Sequence, residues 1–439
     1  MYKLPRYVDE IRNEDGSIII FNRLNGQTAE INKNLKSLYE QYSKTGIYDI
    51  KNEYLINNFF IQEDASENIE SIAKQLLDQY EKNKTLFLTI MPTEKCNFRC
   101  TYCYEDYQKG KMKESLAQAI VDYIDRIIDN YHSLHIEWFG GEPTLALDIV
   151  EYISTRVIAL CKKHHIPFTA GMTTNGYLLT LDVVEKLYSY RIYTYQITID
   201  GYKQTHDKQR ILYGGGPTFD VITENIRIIQ KNFNKKFLQF IIRTNLTTNI
   251  IKESLGDFLN FARYTLAPNG MVSFRFRVAW VGNDNSDPNM YILSEKECYK
   301  YLSDCLKGMP EINIDDDFNG LLPFGEICYA ANKNALVFGS DGNIYKCTVH
   351  FDDDKNKVGI IYDDGSIHLD QEKLSIWHTR KPLEQKCYNC QSLFSCLGIG
   401  CPYNCGSDAM CGTAITNQHE MIIRQHLQTN GNKIKIESL

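Results

Sequence analysis

The sequence predicts an α/β protein built on a parallel sheet curled into a partial (β/α)6 barrel. A small module precedes the barrel and a cysteine-rich segment follows it. Three observations carry that expectation. Strand-like and helix-like stretches alternate six times between Leu86 and Leu306. Of 14 cysteines, three sit at Cys96, Cys100 and Cys103 and eight lie between Cys328 and Cys411, which leaves Cys161, Cys298 and Cys305. Asn25-Gly26, the favoured dipeptide of a tight hairpin, lies between two apolar runs near the N-terminus.

Composition bounds the function. The 439 residues leave room for about three ordinary domains. A 43% hydrophobic and 23% charged content is that of a globular chain. Lys plus Arg is 48 and Asp plus Glu is 55, and a net charge of −7 gives no electrostatic case for a nucleic-acid partner. Met1–Asp15 mixes both charge signs and lacks an apolar core, so no signal peptide is expected. No stretch reaches the apolar length of a membrane helix, and the expected compartment is the cytosol. Thiols stay reduced there, so clustered cysteines point to metal and not to disulfides.

Residues 1–84 read as the first module. Ser17-Ile18-Ile19-Ile20-Phe21 and Thr28-Ala29-Glu30-Ile31 look like two strands joined through Asn25-Gly26. Asn34–Ser43 and Ser66–Asn83 show helical apolar spacing, with Phe59-Phe60-Ile61 between them. A hairpin followed by helices is the outline of a winged helix.

Residues 85–309 hold the alternation. Expected strands are Leu86–Met91, Leu134–Phe139, Phe168–Met172, Tyr193–Ile199, Phe237–Thr244 and Val272–Val281. Amphipathic helices are expected at Lys113–Asn130, Ile149–His164, Leu181–Ser189, Phe219–Phe233, Ser254–Tyr264 and Ser294–Leu306. Ligands of such folds sit at the C-terminal ends of the strands. In residues 310–439 the alternation stops, with only short strands such as Ala335-Leu336-Val337-Phe338. A segment so rich in cysteine is expected to depend on metal for its fold.

Cys96-x3-Cys100-x2-Cys103 follows the first barrel strand directly. Three thiolates so close can hold three irons of a [4Fe–4S] cluster and leave the fourth iron open to a small molecule. The competing reading is zinc, which prefers four ligands in paired C-x2-C spacing and fits an x3 gap poorly.

With these residues in view, the sequence resembles the radical S-adenosylmethionine (SAM) superfamily. Cys96-Asn97-Phe98-Arg99-Cys100-Thr101-Tyr102-Cys103 matches its C-x3-C-x2-C, including the aromatic before the last cysteine. Gly140-Gly141-Glu142-Pro143 after the second strand matches its GGEP. Thr174-Asn175-Gly176, Thr198-Ile199-Asp200-Gly201 and His206-Asp207-x2-Arg210 look like the remaining elements. The resemblance implies that Tyr102, Gly140, Gly141, Glu142, Asn175, Thr198, Asp200 and Arg210 bind SAM. In that reading Glu142 accepts from the ammonium and Arg210 pairs with the carboxylate. Thr198 and Asp200 face the ribose hydroxyls.

Cys328-x13-Gly342-x4-Cys347, then Cys387-x2-Cys390-x5-Cys396, then Cys401, Cys405 and Cys411, resembles the SPASM domain of radical SAM enzymes acting on peptides. A zinc ribbon is the alternative, and Cys387-x2-Cys390 alone would favour it. The resemblance implies two auxiliary [4Fe–4S] clusters. Cys328, Cys347, Cys401 and Cys405 are assigned to the first, and Cys387, Cys390, Cys396 and Cys411 to the second. The chain departs from the pattern at Leu397–Gly400, four residues where the family usually has three. Cys405 and Cys411 also compete to be the final ligand, so Cys405 is either the missing fourth ligand or free, and if free it is the one candidate hydrogen donor.

The implied function is a radical SAM/SPASM maturase that crosslinks residues of a ribosomally made precursor peptide by a carbon–carbon or thioether bond. Its cofactors would be SAM and three [4Fe–4S] clusters, and its partners the precursor with its leader and an electron donor such as flavodoxin or ferredoxin. Residues 1–84 resemble a leader-recognition element, in which an extended peptide adds a strand to the hairpin edge. An anaerobic sulfatase maturase is the second reading. In that family an Asp base normally follows the cysteine matching Cys347, and here the position is Thr348. A peptide-binding protein with structural zinc is the third reading. Cys161, Cys298 and Cys305 read as core residues, and Gly214-Gly215-Gly216 as a flexible loop.

Overall fold

The structure, a computed structural model of the chain, describes residues 2–13, 16–31, 56–57, 60, 62–63, 68–105, 107–279, 293–309, 311–314, 319–402, 421–423 and 426. The helix expected over Asn34–Ser43, and Cys405 and Cys411, expected as cluster ligands, lie outside these residues. Chain contacts define two compact units. The first combines Met1–Lys82, Asp316–Ile327 and Arg380–Leu439, and the second combines Asn83–Asp315 and Cys328–Thr379. These units cut across the three consecutive segments read from composition. The reason is that Ala335–Phe338 joins the barrel sheet, whereas residues beyond 380 pack with the N-terminal elements.

In the first unit, β1 (Val8–Arg12), β2 (Ile18–Asn22) and β3 (Thr28–Ile31) form an antiparallel sheet with β2 in the centre. The hairpin expected between β2 and β3 is present, with Gly26 at φ +74° and its N–H bonded to the Asn22 carbonyl at 2.8 Å. Sequence reading overlooked β1 because Val8-Asp9-Glu10-Ile11-Arg12 is mostly charged. Asp9 is held by Arg23 at 2.7 Å, an ion pair with little exposure. Helix α1 (Ile69–Lys82) belongs to this unit, with Tyr80 stacked on Phe324 at 6.1 Å.

The second unit carries the predicted barrel strands: β4 (Thr85–Ile90), β5 (Ser133–Trp138), β6 (Phe168–Thr174), β7 (Ile192–Thr198), β8 (Gln239–Leu246) and β9 (Val272–Val278). All pair in parallel and in sequence order. The connecting helices are α2 (Glu114–Ile127), α3 (Leu147–Lys163), α4 (Leu181–Ser189), α5 (Lys203–Gln209), α6 (Phe219–Asn232), α7 (Thr248–Glu253) and α8 (Leu255–Thr265), with α9 (Glu295–Leu306) after β9. β10 (Ala335–Phe338) adds in parallel beside β4, and β11 (Asn343–Tyr345), β12 (Lys357–Ile361) and β13 (Ile367–Leu369) continue the sheet antiparallel.

Two elements differ from expectation for local reasons. β8 starts at Gln239 because Phe237 adopts φ +74° and turns outward, 75% exposed. α8 matches the helix expected over Ser254–Tyr264, and α7 is an additional helix that precedes it. Ser254 separates the two, its backbone at φ −147° and its Oγ accepting from the Tyr202 N–H at 2.6 Å.

The sheet has two unlike faces. Leu86, Leu88, Ile90, Leu134, Ile136, Trp138, Ile242 and Phe274 are buried in one core with helix residues such as Leu116, Ile120, Val150 and Ile226. Glu137, Thr173, Gln196, Arg243 and Arg275 alternate with them and stay half-exposed on the interior face. Parallel sheets are normally apolar on both faces. Here the interior face is polar.

Candidate radical SAM site

The three-cysteine loop leaves the end of β4 and is shaped by a short antiparallel ribbon, Phe98–Cys100 with Arg210–Leu212. The ribbon aligns Cys100 with Arg210, and the Thr101 N–H donates to the Gln209 carbonyl at 2.9 Å. Sequence reading had no signal for this pairing, because each partner is only three residues long. The thiols lie within electrostatic reach of one another. Burial pushes the Cys96 thiol up to about 12 and that of Cys100 up to about 11, with Arg210 pulling the latter down. Binding of a metal by these thiols would displace protons.

The glycines of Gly140-Gly141-Glu142-Pro143 serve close packing. A Cβ on Gly140, at φ +113°, would lie 2.4 Å from the Thr93 carbonyl oxygen. One on Gly141 would lie 2.5 Å from the carbonyl oxygens of both Glu94 and Lys95. The loop after β5 thus rests on the backbone leading into Cys96. Gly141→Ala is expected to destabilise the chain by about 1–3 kcal/mol through overpacking, read as a lowered midpoint in chemical denaturation.

Glu142 is fully buried and its carboxylate is shared. Oε1 accepts from the Thr144 N–H at 3.0 Å, the Thr144 hydroxyl at 2.6 Å and the Thr174 hydroxyl at 2.8 Å. Oε2 accepts from the Asn175 N–H at 2.7 Å, which ties the loop after β5 to the loop after β6. Asn175 then donates its side-chain amide to Asn97 Oδ1 at 2.7 Å and to Cys96 Sγ at 3.9 Å.

The loop after β7 is tied in by a buried charge pair. Asp200 accepts from the Tyr102 hydroxyl and from the Asn245 N–H, the latter at 2.9 Å. Arg210 donates to the Tyr102 hydroxyl at 2.6 Å and lies 3.9 Å from Asp200 Oδ2. Burial raises the Asp200 carboxyl, and Arg210 pulls it back. Burial alone would lower Arg210, but Cys100, Tyr102 and Asp200 outweigh it and keep the guanidinium charged. His206 accepts from the Asp200 N–H at 3.1 Å through Nδ1, and burial holds its ring neutral. Asp207 accepts from the Thr218 and Phe219 N–H groups at 2.8 and 2.9 Å and so starts α6.

A sequence profile described as the Radical SAM superfamily matches residues 90–264, the span that holds every one of these loops. Residues 90–264 are a radical SAM domain.

The radical SAM cyclopropyl synthase TigE of Paramaledivibacter caminithermalis is 24% identical over 268 residues, 53% of this chain and 55% of that protein. GTP 3′,8-cyclase of Photorhabdus laumondii is 31% identical over 115 residues, 26% of this chain and 33% of that protein. The chain therefore spans about half, and a third, of the length of these two curated relatives. Native anSMEcpe, solved with bound AdoMet and Cp18Cys peptide, superposes with a TM-score of 0.56 at 19% identity, covering 79% of this chain and 99% of that one. That likeness shows the fold.

In the radical SAM domain the predicted residues do converge, with a division of labour that the motifs did not reveal. Arg210 and Asp200 face each other and Tyr102, and Glu142 faces Thr144, Thr174 and Asn175, so all four build the cradle around the cysteines. Thr198 ends β7 half-buried. Asn97 and His206, which lie inside the motifs, belong to the same web, as do Thr144 and Asn245, which no motif signalled. The donor set fits a [4Fe–4S] cluster, since three thiols come from one loop and no fourth ligand is required. Among the described residues no three His, Cys, Asp or Glu side chains could hold a single metal ion.

Cys328 and Cys347 lie in the second unit and Cys387, Cys390, Cys396 and Cys401 in the first, none in a disulfide. Thr348 bonds Tyr329 twice, its hydroxyl lying 2.9 Å from the phenol oxygen and its N–H donating to that oxygen at 2.7 Å. Among the described residues no helix is long and apolar enough to cross a membrane.

Proposed function

We propose that the chain is a radical SAM maturase that crosslinks two residues of a ribosomally made precursor peptide. The observation that carries this reading is the convergence of Cys96, Cys100, Cys103, Glu142, Asn175, Asp200 and Arg210 at one end of a sheet with a polar interior face. Cys96, Cys100 and Cys103 would hold the cluster, which on reduction supplies the 5′-deoxyadenosyl radical from SAM. The chain's own residues keep that reaction productive. The web of Glu142, Asn175, Tyr102, Asp200 and Arg210 fixes the cysteine loop against three neighbouring strand ends, and the interior face below receives the peptide. In the same reading Glu142 offers SAM's ammonium a share of Oε2, and the end of β7 lies toward the ribose.

Cys328, Cys347, Cys401 and Cys405, and Cys387, Cys390, Cys396 and Cys411, would hold two auxiliary clusters that accept the surplus electron. The three-stranded sheet supports leader capture, because β1 and β3 are its edges among the described residues and an extended leader can add to such an edge. Reducing power would come from a flavodoxin or ferredoxin. Thr348 weighs against a sulfatase maturase, because a hydroxyl engaged by Tyr329 is no general base at neutral pH. The test is co-expression with each short reading frame adjoining the gene, followed by mass spectrometry. The expected result is one peptide lighter by two hydrogens, and unchanged masses throughout would refute the reading.

A further inference from the structure

The interior face holds a set of polar groups, centred on Glu137, that the radical site does not use. Glu137 is the penultimate residue of β5, its side chain 26% exposed. The Thr173 hydroxyl donates to its Oε1 at 3.1 Å. Gln196 donates to that hydroxyl at 3.5 Å, and Arg275 donates to Gln196 Oε1 at 2.8 Å. One chain of hydrogen bonds thus runs from β9 to β5 and aims the carboxylate. His135 stands behind it, Nε2 3.7 Å from Oε2, with Nδ1 2.8 Å from the Thr169 hydroxyl and the ring stacked on Phe87 at 5.0 Å. Gly171 gives the carboxylate its place, since a Cβ there would come within 2.4 Å of Glu137 Oε2. A glycine inside a strand marks a close approach, and here what approaches is a carboxylate.

Crosslinking requires a base. The deoxyadenosyl radical takes one hydrogen atom from a peptide carbon and becomes 5′-deoxyadenosine. The carbon radical then bonds to a second peptide atom, which sheds its hydrogen as a proton while one electron passes to an iron–sulfur centre as oxidant. The peptide has then lost two hydrogens and the charges balance. Thr348 cannot accept the proton at neutral pH. We propose that Glu137 does, with Thr173 and His135 positioning its carboxylate. It lies on the interior face, one residue short of the end of β5, below the loops that carry the cysteines. The proposal rests on the maturase reading and names a residue that reading leaves open.

The test uses holoenzyme and the precursor peptide identified by co-expression. Glu137→Gln keeps the acceptor for Thr173 and removes the base. It should still form 5′-deoxyadenosine, while the crosslinked peptide falls on the order of 100-fold or more. Freeze-quenched electron paramagnetic resonance should show a carbon-centred radical that persists. Gly171→Ala, which displaces the carboxylate without altering its charge, should uncouple the two products in the same direction. Wild-type crosslinking in Glu137→Gln would overturn the proposal. So would a loss of labelled-peptide affinity that matches the loss of product, since Glu137 would then be a binding contact. If wild-type enzyme yields no lighter peptide, the maturase reading fails and the proposal falls with it.

Discussion

Replacing any one of Cys96, Cys100 or Cys103 by Ala is expected to abolish the formation of 5′-deoxyadenosine from SAM under dithionite. Each thiol would hold one iron, and two remaining ligands cannot keep a cluster with a single open site. The loss should be functional and not a collapse of the fold. Cys100 lies in the ribbon paired with Arg210, and that backbone pairing does not depend on its sulfur. Circular dichroism should be unchanged and iron content should fall. Wild-type yields from any of the three variants would remove the cysteine loop from the chemistry.

The largest loss of stability is expected from Asp200→Ala. Asp200 is completely buried, and removing it leaves the Arg210 guanidinium, only 7% exposed, without its carboxylate. Breaking a buried pair from one side costs about 3–5 kcal/mol. Tyr102 and the Asn245 N–H lose an acceptor as well, so the cysteine loop and β8 should loosen together. Denaturant titration of the anaerobic protein measures the loss. Glu142→Ala should act in the same direction, because it strands Thr174 and the Asn175 N–H. A wild-type midpoint for Asp200→Ala would mean that the web does not hold the loop.

Much of this was legible in the residues. The alternation of strand-like stretches with amphipathic helices placed all six barrel strands, because the linking helices must each bury one stripe against the sheet. The candidate site was legible as motifs at successive strand ends. What those residues touch was not legible. A motif gives the residue type and its place in order, whereas partners such as Asn97 for Asn175 and Asn245 for Asp200 come from loops distant in sequence. The Phe98–Cys100 ribbon is too short to carry a period, and β1 is too charged to look like a strand until Arg23 is seen against Asp9. Glu137 was invisible for another reason. An acidic residue in an apolar strand is informative only once the sheet shows which face it occupies.

The central claim is that this chain removes two hydrogens from a peptide, one as an atom and one as a proton with an electron. The measurement that bears on it most directly is the stoichiometry of a single anaerobic reaction in deuterated water with the co-encoded precursor. Chromatography would quantify 5′-deoxyadenosine and methionine, and mass spectrometry the peptide. The account predicts about one deoxyadenosine for each peptide lightened by two hydrogens, with SAM consumed and no solvent deuterium on carbon. A peptide of unchanged composition that carries solvent deuterium would contradict it.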